Sequence, residues 1–264
     1  MENYKKYLVL AKDNSNLTDF AKRQETIFQL ENARSDAFNV TGPTSRLYIK
    51  TSNKLYDLYF EEEEYEEALD IAKEVFNLIK SSPDIKLKSK IIVNLGFAYL
   101  KNGNISKAKE IASTYTFDEE NPEYPYYCLF RAALSQVYKD KYMEISYLQN
   151  AYKSSVNGES SNSEIANILI AIALYYERTK SIKSAYMAYL EIFHKATELS
   201  LELTDEERFS FLIRLSTLAI KNENEKLALD LLTKSTVAMN KKLGTRHPLI
   251  KIANKVLQSV QPKQ

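Results

Sequence analysis

Short side chains recur in this sequence wherever two helices would have to touch, and that recurrence limits the fold more than any other feature. Between Ile91 and Ala112 the chain reads IIVNLGFAYLKNGNISKAKEIA. Counted from Leu95 as zero, Gly96, Tyr99, Gly103, Ile105, Ala108 and Ala112 fall at offsets 1, 4, 8, 10, 13 and 17. Apolar residues follow a helical period on both sides of Asn102-Gly103-Asn104. The stretch therefore predicts an amphipathic helix, a tight turn and a second helix. On this reading Gly96 lacks a Cβ so that the second helix can sit close. Gly103 suits the end of the first helix, and Ala108 fills the narrow gap.

The rest of the chain carries weaker copies. Leu55, Tyr56, Tyr59, Tyr65, Ala68 and Ala72 form a first pair over about 45–81, with Ala68 40 positions before Ala108. In a fourth pair, 163–199, Ile172, Ala173, Tyr176, Ile182, Ala185 and Tyr189 repeat six of the offsets. A fifth pair opens on a capping box, Thr204-Asp205-Glu206-Glu207, and continues through Leu215, Ser216, Ala219, Ala228 and Leu232. The third pair, about 126–155, is degenerate, and Ser146 is placed where the small residue belongs. Thr18 and Asp19 offer caps to an earlier helix through about Phe38. Leu249, Ile252, Ala253, Val256 and Leu257 predict a last short helix that covers the open face of the fifth pair.

The Leu-Gly-x-x-Tyr of Leu95, Gly96 and Tyr99, with Ala108 on the partner helix, resembles the tetratricopeptide repeat (TPR). The resemblance implies an all-α, right-handed TPR-like superhelix of about five helix pairs with capping helices at both ends. Its expected parts are an N-terminal helical cap at 1–43, a solenoid at 44–248, and a C-terminal helix and tail at 249–264. Leu243-Gly244-Thr245-Arg246-His247-Pro248 also resembles the Leu-Gly-x-x-His-Pro linkers of kinesin light chain-like proteins.

Composition agrees with helices and narrows the function. Five glycines and six prolines in 264 residues are too few for the loops of a β-sandwich or a typical α/β enzyme. A net charge of +1 argues against a protein that grips nucleic acid through phosphates. No apolar run is long enough to span a bilayer, and the opening MENYKKYLVLAKDNSN lacks a signal-peptide pattern, so a cytoplasmic location is expected.

Chemistry has few candidates. Cys128 is single, so no internal disulfide or cysteine zinc site can form, and it reads as a small core or groove residue. His194 and His247 have no ligand-spaced partners along the sequence and read as surface or cap residues. No phosphate-cradling or nucleophile-elbow motif occurs. Four consecutive carboxylates, Glu61 to Glu64, point to different sides of a helix and cannot converge on one ion; they complement a helix N-terminus instead. No cofactor, no metal and no catalytic activity are expected.

Stacked pairs leave the exposed side chains of their first helices on one wall. By repeat register these include Asn53, Asn94, Phe97, Arg131, Tyr138, Asn167, Arg178 and Arg214. Asn amides can pair with both groups of a peptide bond and Arg can clamp a carboxylate. A peptide or protein partner in that groove is the expected function, without nucleic acid or membrane, and with the oligomeric state unspecified. The roughly 40-residue period is also similar to the peptide-sensing TPR regions of Firmicute receptors of the Rap, Rgg and PlcR group. That resemblance implies a bacterial, peptide-responsive regulator without its own DNA-binding domain as the alternative.

Overall fold

The computed structural model describes residues 17–80, 85–158, 160–195 and 205–260, and it is all helix, with no strand among the described residues. Among these residues twelve helices follow in order: α1 (Leu17–Thr41), α2 (Arg46–Glu61), α3 (Tyr65–Ile79), α4 (Ile85–Lys101), α5 (Ile105–Thr114), α6 (Tyr124–Val137), α7 (Lys141–Asn157), α8 (Asn162–Arg178), α9 (Ile182–Lys195), α10 (Asp205–Lys221), α11 (Glu225–Leu243) and α12 (Pro248–Val260). They fall into two compact units, α1–α7 and α8–α12. Residues 1–16, the Ser82-Pro83-Asp84 break, the Thr204 end of the capping box and the side chains of Thr18 and Asp19 lie outside the described residues.

Each unit is built from antiparallel helix pairs in the expected register. Ala68, Ala108, Ala185 and Ala228 are fully buried where the two helices of a pair meet. One backbone device closes every turn. Glu63, Gly103, Lys139, Lys180 and Glu223, all at offset 8, take φ between 59° and 73°. The next residue's N–H then donates back to the carbonyl at offset 4 at 2.9 Å in all five: Glu64 to Tyr59, Asn104 to Tyr99, Asp140 to Ser135, Ser181 to Tyr176 and Asn224 to Ala219. Only Gly103 makes this left-handed residue visible in the sequence; the other four bear the steric cost of a Cβ there.

That turn fixes the register of the degenerate pair. With Lys139 in the place of Gly103, the small-residue position is Glu144, only 6% exposed, whereas Ser146 is exposed. The small-residue position thus lies two residues before Ser146, because Lys139, which nothing local marks as left-handed, closes the turn. Pro125 lies in the first turn of α6, where a missing N–H costs nothing.

Gly96 also differs from expectation. A Cβ built there would lie 2.6 Å from the Phe130 ring on α6 and meets nothing on α5 that close. The missing side chain thus serves the contact with the next pair. Phe97 T-stacks on Phe130 at 5.5 Å and on Phe60 at 6.3 Å, so one aromatic row ties α2, α4 and α6 together.

The ends are held by ions and caps. On α1, Arg34 donates to Ser52 at 2.9 Å and to Glu74 at 2.5 Å, and Arg23 pairs with Glu62 at 2.6 Å. Part of the acidic run is thereby neutralised, while Glu66 and Glu67 sit in the first turn of α3, against the positive end of its dipole. In the second unit, His247 Nε2 stands 3.3 Å from Glu206 and its Nδ1 accepts from Leu249 N–H at 3.3 Å. Lys242 pairs with Asp205 at 2.6 Å. The start of α12 is therefore pinned to the start of α10 by residues about forty apart in sequence, far outside the i+3 and i+4 spacing of helical neighbours.

Candidate peptide-binding cleft

The groove face of α2 is written at helical spacing. Arg46, Lys50, Asn53, Lys54 and Asp57 share one side, while Tyr48, Ile49, Ser52, Leu55, Tyr56 and Tyr59 are buried on the other. α4 turns Leu87 and Lys90 toward the same space, and Glu123 closes it from the start of α6. Together with Leu47 these residues line an open cleft of about 840 Å³ within the first unit.

Its electrostatics are asymmetric. Four cations (Arg46, Lys50, Lys54 and Lys90) face two carboxylates, Asp57 and Glu123. Lys90 lies 3.8 Å from Asp57. Arg46, Lys50 and Lys54 have no carboxylate within ion-pair distance among the described residues. Leu47 is more than half exposed, an apolar foothold beside this charge. Among the described residues no group of three His, Cys, Asp or Glu is placed to hold a metal ion, and no helix is long and apolar enough to cross a membrane.

Of the eight residues singled out from the sequence, Asn53 lines this cleft. Asn94 lies on the same face of α4 as Lys90; its backbone carbonyl accepts from Tyr56 OH at 2.8 Å, and its Nδ2 is buried without a hydrogen-bond partner. Phe97 is half-buried in the aromatic row. Arg131 is turned to internal use: Nη1 donates to the Ala112 carbonyl and to Tyr127 OH, each at 2.9 Å, and the guanidinium stacks 5.0 Å from the Tyr147 ring. Tyr138 sits at the end of α6, exposed, with Lys109 over its ring at 5.6 Å.

In the second unit, Arg214 donates to Glu177 at 2.6 Å and to Tyr189 OH at 3.4 Å. Burial pushes the Tyr189 hydroxyl well above the ordinary phenol range, so it enters this cluster as a neutral phenol. Arg178 lies over the Tyr175 ring at 5.6 Å, and Asn167 is half-buried on α8. The row Arg46–Lys50–Lys54 was not singled out in full, although its four-residue spacing was a readable signal.

Helix pairs closed by this turn, with small residues at their crossings, define an all-α protein of TPR-like fold. Solved structures agree. BtubC (BKLC) from P. vanneervenii superposes with a TM-score of 0.61 at 16% identity, covering 86% of this chain and 93% of that one. A putative kinesin light chain of Podospora anserina with nearly identical TPR-like repeats gives 0.53 at 16%, covering 76% and 98%. Cut9–Hcn1, an APC/C hetero-tetramer, gives 0.54 at 14%, covering 96% of this chain and 51% of that one. At such identities the likeness is one of fold. No family model and no curated protein matches the chain.

Proposed function

We propose that this protein is a non-enzymatic interaction scaffold that holds a segment of a partner polypeptide in the cleft between α2 and α4. The observation that carries the reading is the row Arg46, Lys50 and Lys54 beside Asn53 and the exposed Leu47. Cations without internal partners leave their charge available to a ligand, and the Asn amide can pair with a peptide bond. The excess of cations favours a segment bearing Asp, Glu or a terminal carboxylate, with one apolar side chain against Leu47 and Leu87. Among the proteins of similar fold, Cut9–Hcn1 is a hetero-tetramer, and this chain spans about half the length of the matched chain. Asn94 extends the same wall; Asn167, Arg178 and Arg214 are the corresponding candidates on the second unit.

A displayed peptide library selected against the folded chain tests this. Wild type is expected to enrich acidic segments, and Lys50→Glu with Lys54→Glu to cut their affinity at least about tenfold, roughly 1.4 kcal/mol. Binding should also weaken as salt is raised. Enrichment without acidic bias, or equal affinity in the double variant, would remove the cleft from the proposal. If a selected peptide also shrinks the chain in small-angle scattering, the scaffold is a peptide-responsive regulator rather than a static adaptor.

A further inference from the structure

The turns that join paired helices in the first unit follow one another along a single edge. Asn102, in the second turn, donates through Nδ2 to the carbonyl of Tyr65, at the first. Lys109, on α5, reaches over Tyr138 at the third. All three turns share one backbone closure, so the backbone does not dictate what their side chains present to solvent.

Those side chains differ sharply. The first turn offers Glu63 and Glu67, both exposed and without an ion pair among the described residues. Glu64, between them, has its carboxyl raised above the usual range by burial and by the neighbouring carboxylates, a sign of uncompensated negative potential. The third turn is basic and apolar. Lys139 is exposed without a carboxylate partner, Tyr138 is 52% exposed and Tyr142 is 88% exposed. Of the carboxylates there, Glu144 is buried and Asp140 caps Met143 N–H at 3.0 Å. Gly103 lies between the two, exposed, with no atom within 4 Å of where a Cβ would stand.

We infer that this edge is a self-complementary interface that pairs two copies of the chain about a two-fold axis passing near Gly103. An isologous contact requires one patch to carry both halves of its own complement. Here the acidic turn of one copy meets Lys139 of the other, and the exposed tyrosines cover the partner's turn. Tyr rings contribute contact area at low entropic cost. Three turns make a small interface, so the expected dissociation constant is on the order of micromolar. The groove face is not used, so the inference stands or falls independently of peptide binding.

Sedimentation velocity of the full chain over a concentration series, at low and high salt, tests it. Wild type is expected to move from monomer to dimer with concentration, less so in high salt. Lys139→Glu alone, and Glu63→Lys with Glu67→Lys, are each expected to stay monomeric, because each homodimer would oppose like charges. An equimolar mixture of the two variants is expected to dimerise again, since both contacts are then of opposite sign. Circular dichroism confirms that each variant folds, and Tyr142→Ser should weaken the wild-type dimer at least tenfold without moving the helical signal. A wild type that remains monomeric, variants that dimerise as wild type does, a mixture that fails to associate, or an open-ended polymer would each overturn the inference.

Discussion

Gly96 and Phe130 occupy the same space: a Cβ at position 96 would stand 2.6 Å from the Phe130 ring, which is itself fully buried. One pair of helices therefore receives the next through a missing side chain. Gly96→Ala should destabilise the protein by about 1–3 kcal/mol, the usual range for overpacking. Adding Phe130→Leu to that variant should recover part of the loss. Urea denaturation of the three proteins measures it, and equal midpoints for wild type and Gly96→Ala would show that the ring is free to move.

The five left-handed turn residues predict a gain. Lys180 sits at φ 60° without the freedom of a glycine. Lys180→Gly is expected to raise stability by up to about 1 kcal/mol, relief of Cβ strain exceeding the added chain entropy. Lys180→Val should lower stability, since a β-branched residue fits that region poorly. Thermal melts of the two variants should move in opposite directions.

Arg131 is expected to act on folding rather than on ligands. Its guanidinium satisfies the Ala112 carbonyl at the end of α5 and stacks on Tyr147 of α7. Arg131→Glu removes both contacts and should cost roughly 2–3 kcal/mol, from a charge-assisted hydrogen bond and a cation–π contact. Hydrogen exchange should show α5 and α7 loosening first. A binding loss in this variant is then no measure of the groove, for which Lys50 and Lys54 are the better probes.

Burial pushes the Cys128 thiol up to about 11. The thiolate is the reactive form, so almost none is present at neutral pH in the folded chain. Iodoacetamide at pH 7.5 should leave Cys128 intact until denaturant opens α6. Labelling at the rate of a free thiol in native buffer would contradict its burial.

At the far end, His247→Ala should remove the acceptor for Leu249 N–H and the contact with Glu206. A loss of about 1 kcal/mol is expected, the typical worth of a helix cap. Faster amide exchange confined to α12 would report it; unchanged exchange there would show that the apolar face of the helix suffices to dock it.

What could be read from the sequence was whatever repeats or lies close along the chain. Ala68, Ala108, Ala185 and Ala228 announce the helix pairs because one small residue in a fixed place is a local signal. Phe130 filling the gap at Gly96, Arg131 turning back to Ala112, and His247 finding Glu206 are not local. Each depends on how one helix pair meets the next, and that geometry appears only after folding. The groove face was half legible for the same reason. Its wall positions follow from helical period, but whether an Arg on the wall points at a ligand or at a neighbouring carbonyl does not. Lys139 fell between the two cases: its left-handed backbone is set by the turn, while its side chain gave no hint of it.

Because these turns share one main-chain closure, that closure does not fix the charge of exposed side chains on the edge such as Glu63, Glu67 and Lys139. An ancestral chain could rewrite acidic for basic there, one codon at a time, without disturbing the helices beneath. The architecture stays fixed while its address labels change, so distant descendants could keep this scaffold and answer to different companions.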